Sequence, residues 1–446
     1  MRTLPGILLA ITLFAVPPAL VAAEGEPPPE EEESKCITCH TDTELWEGEQ
    51  LHLLVTEKQM AELAEDVHWK KGLRCHDCHG GDPTSFRTGD AHAEEAGFRM
   101  MEAPGDVPDF CGHCHADIAV MKRYNPSPRT DQVVEYWTSG HGQAMKKNPE
   151  DADVAQCVSC HGHHGIRAVD DLKSPVFPTH LAETCAKCHS DESRMKGREY
   201  NGKELSHDQY ELWRKSVHAR MLLEKGDLSA PTCNDCHGNH GAVPPDVDSV
   251  ANACGTCHVK VGELFAGTKM RHRFEEVKLP GCATCHNHHD IQHPTDEMLG
   301  MEADGVCGRC HQEGDPKYGA TLTGAEAARK MRRGLDDLDA MIEEAKRNLK
   351  KAEELGMGVQ KPRFELKKAS DALTNARSLV HGFALKPMEE VLDEGLQVAT
   401  VQNETALERI GEYHFRRVWL ALSLVPILLV VGLLLLYIRR RPIPGR

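Results

Sequence analysis

The pentapeptide Cys-x-x-Cys-His occurs nine times in this chain of 446 residues. The copies are Cys36/Cys39/His40, Cys75/Cys78/His79, Cys111/Cys114/His115, Cys157/Cys160/His161, Cys185/Cys188/His189, Cys233/Cys236/His237, Cys254/Cys257/His258, Cys282/Cys285/His286 and Cys307/Cys310/His311. They use all 18 cysteines. Chance would produce the motif roughly 0.04 times in a chain of this composition, so the spacing answers a chemical requirement.

Two cysteines three residues apart can each bond one vinyl group of the same haem. The next residue then places its imidazole under the iron as proximal ligand. Zinc ribbons pair CxxC motifs without demanding a histidine after every second cysteine. A disulfide framework does not keep such strict local pairs. The pattern therefore predicts nine covalently bound haem c groups, each with its iron.

The other histidines reveal an internal repeat. Tyr136 to His141 leads to Cys157–His164 and on to Cys185. Leu212 to His218 leads to Cys233–His240 and on to Cys254. Lys269 to His272 leads to Cys282–His289 and on to Cys307. A looser copy runs from His68 through Cys75–Gly81 and His92 to Cys111, its extra histidine 13 residues after the proximal one instead of three. Four two-haem repeats, near 65–115, 136–189, 212–258 and 267–311, plus the solitary first motif account for nine.

Each repeat brings two spare histidines for two haems. The expected sixth ligands are His68, His92, His141, His164, His218, His240, His272 and His289. The ninth is His52, near the first motif, with His381 as the alternate. His76 and His113 lie inside the CxxC gap and point badly for ligation. His163, His180, His207, His288 and His293 are left unassigned. Ligation by two histidines without methionine predicts low potentials, because an axial methionine raises them.

Residues 36–311 provide about 31 positions per motif, too few for a separate aliphatic core around each haem. Aromatic residues make up only 5%. The porphyrins must then supply much of the buried apolar surface and lie close together. Gly/Pro-rich connections such as Gly241 to Pro245 predict loops and short helices in place of sheets.

The first 23 residues read as a secretory signal: Arg2, an apolar run from Ile7 to Val16, and small residues at Val21-Ala22-Ala23. An acidic low-complexity linker covers 24–35. At the other end, Val418 to Ile438 gives 21 apolar residues without a charge, the length of a bilayer core. Pro426 lies within it, which a membrane helix tolerates. Arg439-Arg440-Arg441 and Arg446 mark 439–446 as the cytoplasmic side, opposed by Arg416 and Arg417 before the span. The signal segment favours the same orientation. A formal net charge of −17 argues against nucleic acid and suits a basic redox partner.

Between these parts, residues 321–415 lack cysteine and are rich in Ala, Leu, Glu and Lys. Thr323-x-x-Glu326 reads as a capping box. Ala328, Met331, Leu335, Leu338, Ile342, Ala345, Leu349 and Ala352 form a heptad seam. Gly356 and Gly358 break the helix, Pro362 restarts it, and Leu366, Ala369, Leu373, Ala376, Val380 and Phe383 continue the stepping. An antiparallel hairpin follows, with a third helix from Pro387 that runs toward the span. This coiled-coil-like tail is expected to pack on the haem domain and to oligomerise or dock.

The units of the form Ser-x-His…CxxCHGxHG…CxxCH, such as Ser216 to His258, resemble those of the multihaem c-type cytochromes with doubled CxxCH motifs. The resemblance covers residues 36–311. It implies a closely stacked haem chain, long-range electron transfer, and haem attachment outside the cytoplasm. The expected fold is mostly α with extensive loops: a haem-packed domain at 36–320, the helical tail, and one transmembrane helix at 418–438. The expected function is electron transfer along nine haems on the outer face of the cytoplasmic membrane. The partners are a quinol-oxidising membrane subunit and a periplasmic or extracellular acceptor. Cytochromes that oxidise quinol directly carry an N-terminal anchor, and this chain departs from them. A reductase of a nitrogen or sulfur oxyanion is the alternative. It would need one five-coordinate haem, and none of the nine motifs is altered in the way that marks one.

Overall fold

The computed structural model describes residues 34–243, 253–302, 305–311 and 320–440. The expected signal segment, nearly all of the acidic linker, the end of the connection at 244–245, Arg441 and Arg446 lie outside the described residues. Contacts divide the chain into two compact units. One comprises Met1–Glu102 with Gly162–Ala168, the other Ala103–His161 with Val169–Arg446.

The fold is mostly α. Among the described residues, strand structure is confined to a hairpin of Glu199–Tyr200 with Lys203–Glu204. Its turn residues Asn201 and Gly202 both have positive φ, the conformation a two-residue hairpin of this hand requires. Around the motifs the helices are short, mostly four to twelve residues. Only small groups of buried apolar side chains join them, such as Ala182, Trp213, Ala219 and Leu222. This is the sparse core that so little chain per motif predicts.

The tail is different. Its helices are Leu322–Glu354, Gln360–Leu379 and Leu385–Arg440. The first starts two residues earlier than Thr323 would set it, because Thr321 accepts the Gly324 N–H and caps it. The seam from Ala328 to Ala352 is buried as a continuous stripe, and Leu366, Ala369, Leu373 and Ala376 meet it from the second helix. The third helix fills the remaining side with Met388, Leu392, Ala399, Ala406 and Ile410. The heptad pattern thus closes on its own chain as a three-helix bundle.

Close approach and polar matching fix the alignment. A Cβ on Gly395 would stand 2.9 Å from both Ala372 and Leu338, so only glycine lets the three helices meet there. Buried Asn403 accepts from Asn348 at 2.7 Å and donates to Glu344 at 3.1 Å. A satisfied polar group inside an apolar seam specifies register. The first and third helices run parallel, since Gly334 meets Leu392 and Asn348 meets Asn403. Replacing the buried Ile342 by alanine should cost the bundle about 2–5 kcal/mol. The expected readout is a lower thermal midpoint and faster proteolysis at the 355–359 turn, with haem content unchanged.

The bundle's upper end carries the motif region of its unit. Arg377 binds Asp296 at 2.7 Å, Lys260 binds Asn375 at 3.0 Å, and Phe265 packs on Phe383. From there the third helix continues without a break to Arg440. Its Val418–Ile438 stretch has no buried residue and is long and apolar enough to cross a membrane.

Candidate haem-ligating sites

Most motifs sit on a helix that ends on the proximal histidine, as in Lys35–His40, Cys75–His79, Val107–His115, Cys157–His161 and Cys233–His237. One helical turn brings residues i, i+3 and i+4 to one face, so both sulfurs and the imidazole project together. After the first motif of each repeat the chain must leave that face sharply. The following residue is in the left-handed region in all four: Gly80, Gly162, Gly238 and Asn287. At Gly80 a Cβ would also collide with the Gly97 carbonyl at 1.8 Å.

The decisive geometry lies between rings. Metal–imidazole bonds of about 2.0–2.1 Å, with about 1.1 Å from each nitrogen to its ring centre, put two imidazoles on one iron about 6.2 Å apart. Seven proximal histidines face a second imidazole at this spacing. His40 faces His92 at 6.1 Å, and His79 faces His164 at 6.3 Å. His161 faces His240 at 6.2 Å, His237 faces His289 at 6.1 Å, and His286 faces His381 at 6.0 Å. His189 faces His141 at 6.0 Å, and His258 faces His218 at 6.4 Å. Separations this uniform leave room for one metal atom each.

The pairs obey a rule. In the second and third repeats the upstream histidine faces the second motif of its own repeat. The histidine three residues after a proximal one faces the first motif of the preceding repeat. His381 continues this series from the tail, taking the place a fifth repeat would fill.

The polar surroundings suit ligation. The Nδ1 atoms of His40, His237 and His311 lie 2.8, 3.1 and 2.9 Å from the carbonyls of Leu53, Val243 and Thr321. His92 and His381 bond the carbonyls of Thr88 and Ser378 in the same way. A carbonyl only accepts, so Nδ1 carries the proton and Nε2 is left for a metal. Burial, then the neighbouring imidazole of His189, pushes His141 down to about 4; burial, His288 and His237 do the same for His289. Both rings are thus neutral, the ligating form.

Sulfur contacts order the motifs. The side chains of Cys157 and Cys111, Cys185 and Cys233, and Cys254 and Cys282 are hydrogen-bonded. These are first cysteines of adjacent motifs. The second cysteines Cys160 and Cys188, and Cys236 and Cys257, lie within electrostatic reach of each other. Cys36 and Cys75, and Cys285 and Cys307, do likewise. Within each unit neighbouring motifs therefore stand side by side, alternating between first-cysteine and second-cysteine contacts from the third motif to the eighth.

The second cysteines of the first three motifs, Cys39, Cys78 and Cys114, are half-buried thiols on their motif helices. Their carbonyls anchor the chain that follows. That of Cys39 accepts from the Trp46 indole at 3.0 Å, and the Trp46 ring stacks on His40 at 5.1 Å. That of Cys78 accepts from the Arg99 guanidinium at 2.9 Å, and that of Cys114 from the Asp117 N–H at 3.0 Å. These bonds hold each turn after the motif while the thiol stays at the helix face. His115 closes the helix Val107–His115; it lies within electrostatic reach of His161 and helps lower it, after burial and His240. The third and fourth proximal imidazoles are thus neighbours, as the contact of Cys111 with Cys157 requires.

Of the histidines expected as sixth ligands, His92, His141, His164, His218, His240 and His289 stand opposite proximal rings, and so does the alternate, His381. His52 does not: it is exposed, and its Nδ1 turns to the Glu49 carbonyl, while His92 occupies the place opposite His40. His68 is the second residue of its helix and is oriented by Asp66, 3.1 Å from its Nδ1. His272 is exposed and bonds toward Glu275. Among the described residues no ring stands opposite His311.

A family model described as "Cytochrome c7 and related cytochrome c" matches residues 173–259. That stretch contains the motifs at Cys185, Cys233 and Cys254. The match supports a multihaem electron-transfer cytochrome with covalently bound haem c. No curated protein and no solved structure matches the chain.

Proposed function

We propose that the chain is a membrane-anchored cytochrome that carries electrons along nine haem c groups, held outside the cytoplasmic membrane by its C-terminal helix. The observation that carries this reading is the set of seven imidazole pairs at iron-spanning distance. Haem iron supplies the one-electron chemistry. The chain's own residues would close both faces of the metal at the seven pairs, burial keeps His141 and His289 neutral, and a carbonyl fixes the tautomer of His40, His92, His237 and His381. An iron enclosed in this way exchanges electrons without binding a substrate. Within each unit the side-by-side sulfurs bring the attachment edges of consecutive haems together, which gives electrons a path along that unit. The donor is a quinol-oxidising membrane subunit and the acceptor a periplasmic or extracellular redox protein.

A multihaem reductase is the second reading, and its open iron would lie at His311. Intact mass, EPR of the oxidised protein and carbon monoxide added to the reduced form test both. Nine haems per chain, low-spin signals and no rapid carbon monoxide binding are expected. Seven or fewer covalent haems would overturn the count. A stoichiometric high-spin haem that turns over nitrite, hydroxylamine or tetrathionate would establish the reductase.

A further inference from the structure

We propose that Met270, not a histidine, supplies the sixth ligand of the ninth haem, attached at Cys307 and Cys310 with His311 as proximal imidazole. The proposal rests on the haem reading above and concerns one iron within it.

In the second and third repeats the upstream ligand is positioned by a helix start of fixed construction. Buried Ser139 accepts from the Gly142 N–H at 2.9 Å, the helix begins at Gly140, and His141 is its second residue. Buried Ser216 accepts from Ala219 N–H at 3.1 Å, and His218 is again second. Three residues before each cap stands a buried aromatic, Tyr136 or Trp213.

The fourth repeat has every part of this device. Buried Thr268 accepts from the Arg271 N–H at 3.0 Å. Its hydroxyl donates to the Phe265 carbonyl at 2.7 Å, as Ser139 donates to the Tyr136 carbonyl at 2.6 Å. Phe265 is the buried aromatic three residues before the cap. The helix begins at Lys269, so its second residue is Met270, and His272 is fourth. Two residues further along a helix is a rotation of about 200°. That rotation carries His272 to the far side, where its side chain is 71% exposed and its Nδ1 lies 3.5 Å from Glu275. Met270 is half-buried, like His141 and His218. His311 keeps its Nδ1 on the Thr321 carbonyl, which leaves Nε2 for iron.

A thioether is a neutral, soft donor suited to haem iron, and a His/Met pair has a higher potential than a His/His pair. The ninth haem, beside the tail, is then the most oxidising step of the chain. Ligation by two histidines would keep the seven paired haems low, and this one would stand above them.

The test uses the full haem-loaded chain. The oxidised protein should show the near-infrared sulfur-to-iron charge-transfer band for one haem. Met270→Ala should abolish that band and create one high-spin haem that binds one equivalent of carbon monoxide. Met270→His should keep every haem low-spin and bring the highest midpoint potential down among the others. His272→Ala should change none of these. A high-spin haem in His272→Ala, unchanged spectra in Met270→Ala, or a carbon monoxide-binding haem in the unaltered protein would each overturn the assignment. A failure of the broader reading shows separately, in the haem mass and in the low-spin signals of the other irons.

Discussion

In the His240→Ala protein one haem will turn high-spin, and it will be the haem at Cys157 and Cys160, not its sequence neighbour at Cys233 and Cys236. His240 follows His237 by three residues, yet its ring stands 6.2 Å from His161, while His237 faces His289. Removing an axial imidazole leaves the iron with an open face, and an open ferrous haem binds carbon monoxide. One equivalent of carbon monoxide should bind where none bound before. Adding Cys157→Ala and Cys160→Ala should remove the new signal with its haem. Adding Cys233→Ala and Cys236→Ala should leave it. If the second combination removes the signal and the first does not, the ligands are local and the rule linking successive repeats is wrong.

A chain truncated after Arg417 should leave the membrane entirely while keeping its full haem content. The tail helices bury their apolar seams in one another up to Ile410, whereas Val418–Ile438 has no buried residue. Transferring some twenty apolar residues from water to hydrocarbon is worth tens of kcal/mol at about 1.5–3 kcal/mol per large side chain, so anchoring is all or none. Fractionation after a salt wash checks this. Retention of the truncated chain in the membrane would move the anchor to the first 23 residues or to the tail.

The motif spacing and the heptad seam were readable because both are local: one turn of helix for the first, 3.5-residue periodicity for the second. Cys39, Cys78, Cys114 and His115 fall on their helix faces for that reason alone. Pairing of histidines was not readable, because the facing residues are separated by 40 to 95 positions and belong to different repeats or to opposite ends of one. His52 illustrates the limit. It is closer in sequence to His40 than His92 is, but its short helix directs Nδ1 to Glu49. His381 sits far from every motif, and only the return of the second tail helix brings it opposite His286. At His272 the sequence offers a histidine in nearly the right place, and the helix cap two residues off decides which way it points. The capping residue, not the histidine, was the position to align.

The continuous terminal helix also sets an altitude. From Leu385, beside the histidine that faces His286, to Val418, where the apolar stretch begins, the helix climbs roughly 33 residues, or about 50 Å at 1.5 Å per residue. The span itself is about 32 Å long against a hydrocarbon core of about 30 Å, enough to cross a bilayer, and the helix runs unbroken from it into the bundle. The described contacts of the motif region of this unit meet the bundle only near its top, at Arg332, Asn375, Arg377 and Phe383. Tunnelling decays exponentially with distance, so with the helix anchored as proposed a mast of this length would put the eighth and ninth motifs far from any donor dissolved in lipid. On the anchoring proposed above, a donor for these two motifs would have to rise well clear of the headgroups, and lengthening or shortening the mast by whole heptads would retune which neighbours can reach them.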